Sequence, residues 1–115
     1  QAGVFCYAFG MSKDTLTNIQ IQLVEFSKAR DWEKYHSPKN LSMALSVEVA
    51  ELVEHFQWLT EEESRKMSGQ KLDEVKEEVA DVLLYLLQIC NQLNIDPIEA
   101  AQQKLVKNAV KYPTA

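Results

Sequence analysis

Apolar residues along this chain recur at spacings of three and four positions, and strand-like alternation is nowhere sustained. Three glycines and three prolines interrupt the pattern only rarely. The sequence therefore predicts an all-α protein, a four-helix bundle with one short extra helix. Its 115 residues are enough for one compact domain and too few for two ordinary ones.

Capping residues and prolines give the expected boundaries of the helices. Asp14 or Thr15 can cap the first helix, and Ser37 or Asn40 can cap the second. The predicted elements are helices over residues 16–30 and 41–58, a short helix that opens at 60–63 and ends at Ser68-Gly69, a long helix over 70–94, and a last helix from Asp96-Pro97 to Tyr112-Pro113.

The second helix carries acids where an apolar face is expected. Its apolar side consists of Leu41, Ala44, Leu45 and Leu52. Glu48 falls in the middle of this side, and Glu51 lies on its edge one turn later. Burying an unpaired carboxylate is unfavourable by several kcal/mol in order-of-magnitude terms, so such a position needs a compensating partner.

The long helix repeats this arrangement. Its predicted apolar stripe centres on Val79 and Leu86, and Glu78 and Asp81 line one margin, with Tyr85 close by. Residues spaced i, i+3 project from the same face of a helix. If the two helices pack along their stripes, four carboxylates converge on one spot.

Four converging acids without basic partners would repel one another, and a hard divalent cation removes that repulsion. Mg²⁺ prefers oxygen ligands and keeps positions open for water and phosphate, whereas zinc sites usually contain His or Cys. The alternative is that each Glu-x-x-Glu pair is ordinary surface charge, as we expect for Glu61 to Glu63. The pairing of two acid pairs, each beside an apolar face, favours the metal site.

The net charge and the cysteine content limit which binding partners and which cellular compartment are expected. The net charge of −5 argues against binding of a nucleic-acid polymer, which needs a basic surface. Cys6 and Cys90 form no C-x-x-C motif, so we expect a reducing cytoplasm. No apolar run is long enough to span a membrane. Residues 1–10 lack the basic start of a signal peptide, and we interpret them as an expression remnant or a flexible extension outside the fold.

Several motifs together carry a family resemblance. The carboxylates form E-x-x-E at 48–51 and E-x-x-D at 78–81, which resembles the signature of the all-α nucleotide pyrophosphohydrolases, the MazG-like superfamily. The flanking motifs are similar to its dCTP pyrophosphatase branch. They are Arg30-Asp31-Trp32, His36, Pro38, Asn40-Leu41, Glu48 to Glu54, Phe56-Gln57-Trp58 and Lys104-x-x-x-Asn108-x-x-Lys111-Tyr112-Pro113.

This resemblance implies a MazG-like pyrophosphohydrolase domain over residues 11–115, assembled as a dimer or a dimer of dimers with sites near subunit interfaces. Glu48, Glu51, Glu78 and Asp81 would bind Mg²⁺. Trp32, His36 and Trp58 would border the pocket for base and sugar, with Asn40 nearby. Lys104, Asn108, Lys111 and Tyr112 would contact the phosphates or the sugar. Some relatives carry a polar residue on the first helix where Leu23 or a neighbour stands here, which leaves the base preference open.

The implied reaction is hydrolysis of a deoxynucleoside triphosphate to the monophosphate and pyrophosphate, as in cleansing of the nucleotide pool. A metal-bound water would attack the α-phosphorus in line, with Glu48 or Glu51 orienting it. Two alternatives stay open at the level of the sequence. A di-iron bundle usually uses Glu-x-x-His, which this chain lacks. A non-enzymatic helical interaction module would leave Glu48 unexplained.

Overall fold

The computed structural model describes residues 15–115, and this part of the chain consists of helices and their connections. The predicted all-α class is thereby confirmed for the described residues. Residues 1–10, Asp14 and Cys6, on which sequence-based expectations were placed, lie outside them. The elements are α1 (Leu16–Ala29), a 3₁₀ turn (Glu33–Tyr35), α2 (Pro38–Glu54), α3 (Glu61–Ser64), α4 (Gly69–Leu93) and α5 (Pro97–Lys111).

Side chains cap the helices where the sequence predicts it. Thr15 accepts a hydrogen bond from the backbone N–H of the first turn of α1, Ser37 does so for α2, and Asp96 for α5. Thr60 and Glu63 form a complete capping box at the start of α3. The backbone N–H and the hydroxyl of Thr60 hold the pKa of the Glu63 carboxyl below its usual value.

Three predicted boundaries are wrong. The second helix begins at Pro38 rather than Leu41, because proline fits the first helical position behind the Ser37 cap. It ends at Glu54, after which the backbone N–H groups of Phe56 and Gln57 both donate to the carbonyl of Val53 in a tight turn. Gly69 does not end the short helix but opens α4 with φ of +61°, a backbone conformation that glycine adopts without strain.

The long helix α4 is the centre of the domain. It packs most extensively against α2 and to a smaller extent against α1. Within the described residues, the buried apolar side chains are few, namely Leu41 of α2 and Val75, Leu87 and Cys90 of α4. Two polar pairs join α1 to α4. Gln20 exchanges hydrogen bonds with Asn91, and the amide of Gln88 donates to the Ser27 hydroxyl.

The predicted centre of the apolar stripe on α4 is wrong. Val79 and Leu86 are 51% and 45% exposed, and Leu93 in the same row is 53% exposed. The buried face passes instead through Val75 and Leu87. The C-terminal half of α4 packs against α1 through the two polar pairs. The residues of α4 that face α1 are therefore buried there. The row of Val79, Leu86 and Leu93 is therefore left uncovered within one chain.

The last helix, α5, exposes most of its apolar side chains. Leu105 and Val106 are each 68% exposed, and Val110 is 79% exposed. Large apolar groups gain about 1.5–3 kcal/mol each when they are fully buried, so a helix of this kind gains stability from a covering surface. Among the described residues, no helix is long and apolar enough to cross a membrane.

Candidate functional site

The contact between α2 and α4 brings three carboxylates together. One oxygen from each of Glu48, Glu78 and Asp81 lies within 4.8 Å of the others. Glu48 and Glu78 are partly buried, and Asp81 is exposed. The spacing i, i+3 places Glu78 and Asp81 on one face of α4, and the packing of α2 brings Glu48 to that face. The two helices thus form an acidic site with one open side, which we call the carboxylate cluster.

The neighbouring acids change the protonation of Glu48. Burial raises its pKa first, hydrogen bonds to Glu51 and Glu78 raise it further, and the negative charges of Glu51 and Asp81 add to the effect. The pKa of Glu48 reaches about 7. Burial also raises the pKa of Glu78, although the proton that Glu48 donates opposes this. Without a cation, the cluster therefore holds a proton near neutral pH.

Unsatisfied oxygens in the cluster show what kind of ligand it fits. The Oε2 atoms of Glu48 and Glu78 are buried and have no hydrogen-bond partner in the structure. Burying such an oxygen is unfavourable unless a cation or a hydrogen-bond donor contacts it. A set of carboxylate oxygens with no His or Cys suits a hard divalent cation such as Mg²⁺. The chemistry of the donors therefore fits the metal that the sequence predicts.

Glu51, the fourth predicted carboxylate, stands at the margin of this group. It is not among the three residues whose oxygens converge within 4.8 Å. Its carboxyl nevertheless accepts a hydrogen bond from Glu48 and raises the pKa of both Glu48 and Glu78. Glu51 thus lies beside the cluster on α2, close enough to act on a group bound there.

An aromatic cavity of about 200 Å³ opens between α1, the connection to α2, and α4. Tyr85 on its wall follows Asp81 by one turn of α4, so the aromatic cavity and the carboxylate cluster are neighbours along one helix. The lining residues are Leu23, Phe26, Trp32, His36, Leu84, Tyr85 and Gln88. The lining, predominantly apolar with a few polar groups, has the composition of a small-molecule site.

The end of α1 positions the Trp32 side chain. The backbone N–H of Trp32 donates to the carbonyl of Ser27 at 3.0 Å, and that of Asp31 donates to Lys28 at 3.1 Å. This is the Schellman arrangement, and Asp31 takes the left-handed conformation that it requires, with φ of 56°. The chain reverses so that the Trp32 ring meets the edge of Phe26, with centroids 5.6 Å apart.

Further contacts hold this aromatic wall. The Arg30 guanidinium lies 3.5 Å from the centroid of the Phe26 ring and donates to the Phe26 carbonyl. His36 meets the Trp32 ring edge-on, with centroids 6.5 Å apart. Asn40, predicted near the pocket, donates through its side-chain amide to the Tyr35 carbonyl at 3.1 Å. Asn40 thereby ties the 3₁₀ turn that carries the aromatic residues to the first turn of α2.

The other predicted binding residues lie apart from the aromatic cavity. Trp58 follows the end of α2, is 88% exposed and does not line the cavity. The predicted phosphate-contacting residues are on α5 or at its end. Tyr112 is 66% exposed, and the Lys111 ammonium lies 5.2 Å from the centroid of its ring. Lys104 is exposed as well, and Asn108 is partly buried.

Sequence reasoning missed the polar part of the cavity. Gln88 and Ser27 are 9% and 3% exposed, and the amide of Gln88 donates to the Ser27 Oγ at 3.2 Å. Gln88 stands among Leu and Ile residues of α4, where a buried glutamine interrupts an apolar run. That interruption is the same signal that identified Glu48, and it could have identified Gln88.

Comparison with known proteins gives consistent matches. The MazG-like family model matches residues 43–115. The dCTP pyrophosphatase 1 of Bos taurus is 38% identical over 104 residues, covering 89% of this chain and 62% of that protein. The dCTP pyrophosphatase 1 of Homo sapiens is 39% identical over 101 residues, covering 86% and 59%. This chain thus spans less than two thirds of the length of these curated relatives.

A solved structure agrees with the sequence matches. The crystal structure of a pyrophosphatase from Archaeoglobus fulgidus superposes with a TM-score of 0.76 at 49% sequence identity. The alignment covers 80% of this chain and 86% of the archaeal chain. Both the fold and the sequence are therefore shared over most of each molecule.

Proposed function

This chain belongs to the MazG-like family, and on that premise we propose that it hydrolyses deoxynucleoside triphosphates, with dCTP or a related nucleotide as substrate, to a monophosphate and pyrophosphate. The observation that carries the proposal is the carboxylate cluster of Glu48, Glu78 and Asp81, within 4.8 Å of one another and one helical turn from the aromatic cavity. A nucleotide has an aromatic base and an anionic polyphosphate, and these two sites suit its two ends. The names of the similar proteins support the same reaction.

The proposed cofactor is Mg²⁺, held by Glu48, Glu78 and Asp81 with Glu51 beside them. When bound, it supplies positive charge for the phosphates and acidifies water. Glu48 must release its proton to act as a ligand, and its pKa of about 7 makes that release easy near neutral pH. The net charge of −5 reflects an excess of acidic side chains, so a bound cation would also reduce their repulsion of the triphosphate.

The proposed catalytic residues are Glu48 and Glu51. A carboxylate that borders the cluster without being fully enclosed by it can accept the proton of the attacking water. Glu51 has this position, because its carboxyl contacts Glu48 but lies outside the converging set. The water must approach in line with the leaving pyrophosphate, and a fixed carboxylate orients it for that attack.

The proposed substrate-binding residues fall into two groups. Trp32 and His36 line the aromatic cavity and would stack against the base and sugar, with Asn40 holding their connection in place. Trp58 remains a proposed part of the pocket through its exposed ring. The residues proposed to contact the phosphates or the sugar are Lys104, Asn108, Lys111 and Tyr112.

We propose a homodimer or homotetramer for the MazG-like domain over residues 11–115. Its support is the exposed apolar surface of α4 and α5. Val79, Leu86 and Leu93 are exposed on one row of α4, and Leu105 and Val110 are exposed on α5. A second copy that covers these groups would remove their apolar surface from water. We place the protein in a reducing cytoplasm, which suits the buried free thiol of Cys90.

The test of the reaction is pyrophosphate release from a panel of dNTPs and NTPs, with Mg²⁺ and with EDTA. We expect metal-dependent release together with the nucleoside monophosphate, and dCTP among the best substrates. Release of orthophosphate instead would place the cut at another bond and contradict the proposal. If no nucleotide is hydrolysed, the interaction-module hypothesis replaces the enzyme, and thermal stability with Mg²⁺ plus a non-hydrolysable nucleotide tests whether ligand binds at all.

A further inference from the structure

The aromatic cavity contains a buried amide that stacking alone does not use. Gln88 is 9% exposed, and it lines the cavity together with aromatic and aliphatic neighbours. A buried amide is unfavourable unless its donors and acceptor find partners. Leucine would fill the same space without that cost. The presence of a glutamine here therefore points to a polar group on whatever occupies the cavity.

Ser27 fixes the direction of this amide. The Gln88 Nε2 donates to the Ser27 Oγ at 3.2 Å, and Ser27 is itself only 3% exposed. A carboxamide has two N–H donors and one oxygen acceptor in a plane. With Nε2 held toward α1, the Oε1 atom points to the other side of the amide carbon. With Nε2 bonded to Ser27, Oε1 is the amide atom that is left to accept a hydrogen bond from a ligand.

The position of Gln88 on α4 separates it from the other polar groups of the cavity. Tyr85 follows Asp81 by one turn and lies toward the carboxylate cluster, whereas Gln88 lies about one turn farther away. His36 belongs to the connection before α2 and contacts Trp32 edge-on. If the phosphates lie at the carboxylates, Gln88 is at the far end of the cavity, where the edge of the base would lie.

Stacking on Trp32 and Phe26 cannot distinguish one base from another, because every base has an aromatic face. Hydrogen bonds to the edge of the base are needed for selection. Resting on the proposed function, we propose that Gln88, oriented by Ser27, is the specificity-determining acceptor that binds an exocyclic amino group of the base. Cytosine carries such a group at C4, where uracil and thymine carry a carbonyl oxygen.

In this arrangement Oε1 of Gln88 accepts a hydrogen bond from the amino group of cytosine. A uracil in the same place would bring its carbonyl oxygen against Oε1, so two acceptors would face each other without a proton. Leu23, on the α1 side of the cavity, offers no hydrogen bond to either base. Discrimination between amino and keto pyrimidines then depends on one amide and on the serine that orients it.

The experiment compares kcat/KM for dCTP with kcat/KM for dUTP, two substrates that differ in one ring substituent. The wild-type protein should have a kcat/KM for dCTP about tenfold or more above that for dUTP. With dUTP the buried Oε1 acceptor is left without a donor, and a loss of this size is expected from an unpaired acceptor. Gln88→Met keeps the length and removes the amide, and should lower this ratio at least tenfold. Gln92→Met makes the same change at an exposed position one turn along α4 and should leave the ratio unchanged.

Ser27→Ala tests the positioning role separately. It leaves the Gln88 amide in place but frees it to rotate, so the dCTP to dUTP ratio should fall while kcat for dCTP stays within about threefold of wild type. Gln88→Asn, which retains an amide but withdraws it from the base, should lower the ratio as well. Circular dichroism and thermal unfolding confirm that each variant is folded before its kinetics are compared.

The outcomes separate this inference from the proposed function. A wild-type protein that hydrolyses dNTPs with a dCTP to dUTP ratio near one overturns the role of Gln88. So does a folded Gln88→Met variant that retains the wild-type ratio. A Ser27→Ala variant with the wild-type ratio overturns the positioning role of Ser27. Absence of any nucleotide hydrolysis by the wild-type protein overturns the proposed function itself.

Discussion

The long helix α4 takes part in two contacts that differ in chemistry. Against α2 it places Glu78 and Asp81 beside Glu48, where buried carboxylate oxygens lack hydrogen-bond partners and the pKa of Glu48 is raised. Against α1 it places Gln88 beside Ser27, where one hydrogen bond joins the Gln88 Nε2 to the Ser27 Oγ at the wall of an aromatic cavity. The contact with α2 is suited to binding a cation and phosphates. The contact with α1 is suited to recognising a base by its shape and its hydrogen bonds. Substitutions should therefore separate turnover from base selection.

The largest effect should come from the carboxylate cluster. Asp81→Asn or Glu78→Gln removes an anionic oxygen from the set of three and should lower kcat/KM about a hundredfold or more for every nucleotide. The ratio between bases should stay unchanged, because the aromatic cavity is untouched. Steady-state pyrophosphate release measures both quantities. Glu77→Gln, an exposed neighbour on α4, is the matched control, and a cluster variant with more than about a tenth of wild-type activity would contradict the proposed site.

A smaller effect should follow removal of the aromatic wall. Trp32→Ala should raise KM by roughly five- to a hundredfold, since stacking of one base on an aromatic ring contributes about 1–3 kcal/mol. The change in kcat should be smaller, because the carboxylates remain in place. Trp58→Ala is the comparison, and its KM should change less because the Trp58 ring is 88% exposed and outside the cavity. A folded Trp32→Ala variant with the wild-type KM would mean that the cavity does not hold the base.

The protonation of Glu48 gives a third test, measured on stability without metal. Its pKa is about 7 in the folded protein against 4.5 for the free side chain, so between these values the folded state binds more protons. The stabilisation is complete below about pH 4.5 and is lost as the pH rises through 7. In EDTA, the melting temperature of the wild-type protein should therefore fall more steeply over this interval than that of Glu48→Gln.

Adding Mg²⁺ should reverse the trend for the wild-type protein, because a bound cation stabilises the ionised cluster at higher pH. The same addition should have little effect on Glu48→Gln. Parallel pH curves for the two proteins in EDTA would show that Glu48 does not hold the extra proton. This measurement does not require turnover, so it tests the cluster independently of the nucleotide.

The smallest effect concerns the turn that positions Trp32. Asp31 has a φ of 56°, which costs an alanine about 1 kcal/mol and a glycine almost nothing. Asp31→Ala should lower the free energy of unfolding by about 1 kcal/mol, and Asp31→Gly should stay close to wild type. Both variants lose the exposed ion pair with Lys34. The difference between their free energies of unfolding therefore reports the cost of the backbone conformation alone. Chemical denaturation measures it, and equal stabilities would contradict the Schellman ending.

The sequence predicted local features well because their causes are local. The caps at Thr15, Ser37, Thr60 and Asp96 depend on residues within three positions of one another, and each one is confirmed. The family was identified from short motifs and is confirmed by the family match. The convergence of acids was predicted from misplaced polar residues on two apolar faces, and three of the four carboxylates meet as expected.

Features that depend on how the helices pack were harder to predict. Val79 and Leu86 fit a helical stripe, but the side on which α1 packs decides which stripe is buried. The aromatic cavity combines residues that lie up to 65 positions apart, from Leu23 to Gln88, and no spacing rule links them. Trp32 could be named as a candidate from its motif, whereas its partners Phe26 and Leu84 required the packed structure.

The rigid geometry of α4 also sets a length. Asp81 and Gln88 are seven residues apart, so an uninterrupted helix separates them by about 10 Å along its axis and keeps them on the same face. The helix therefore fixes the distance between the carboxylate cluster and Gln88, the residue proposed to bind the base. One residue inserted between them would turn Gln88 by about 100° away from the cavity. Insertions or deletions between Asp81 and Gln88 should therefore abolish base selection.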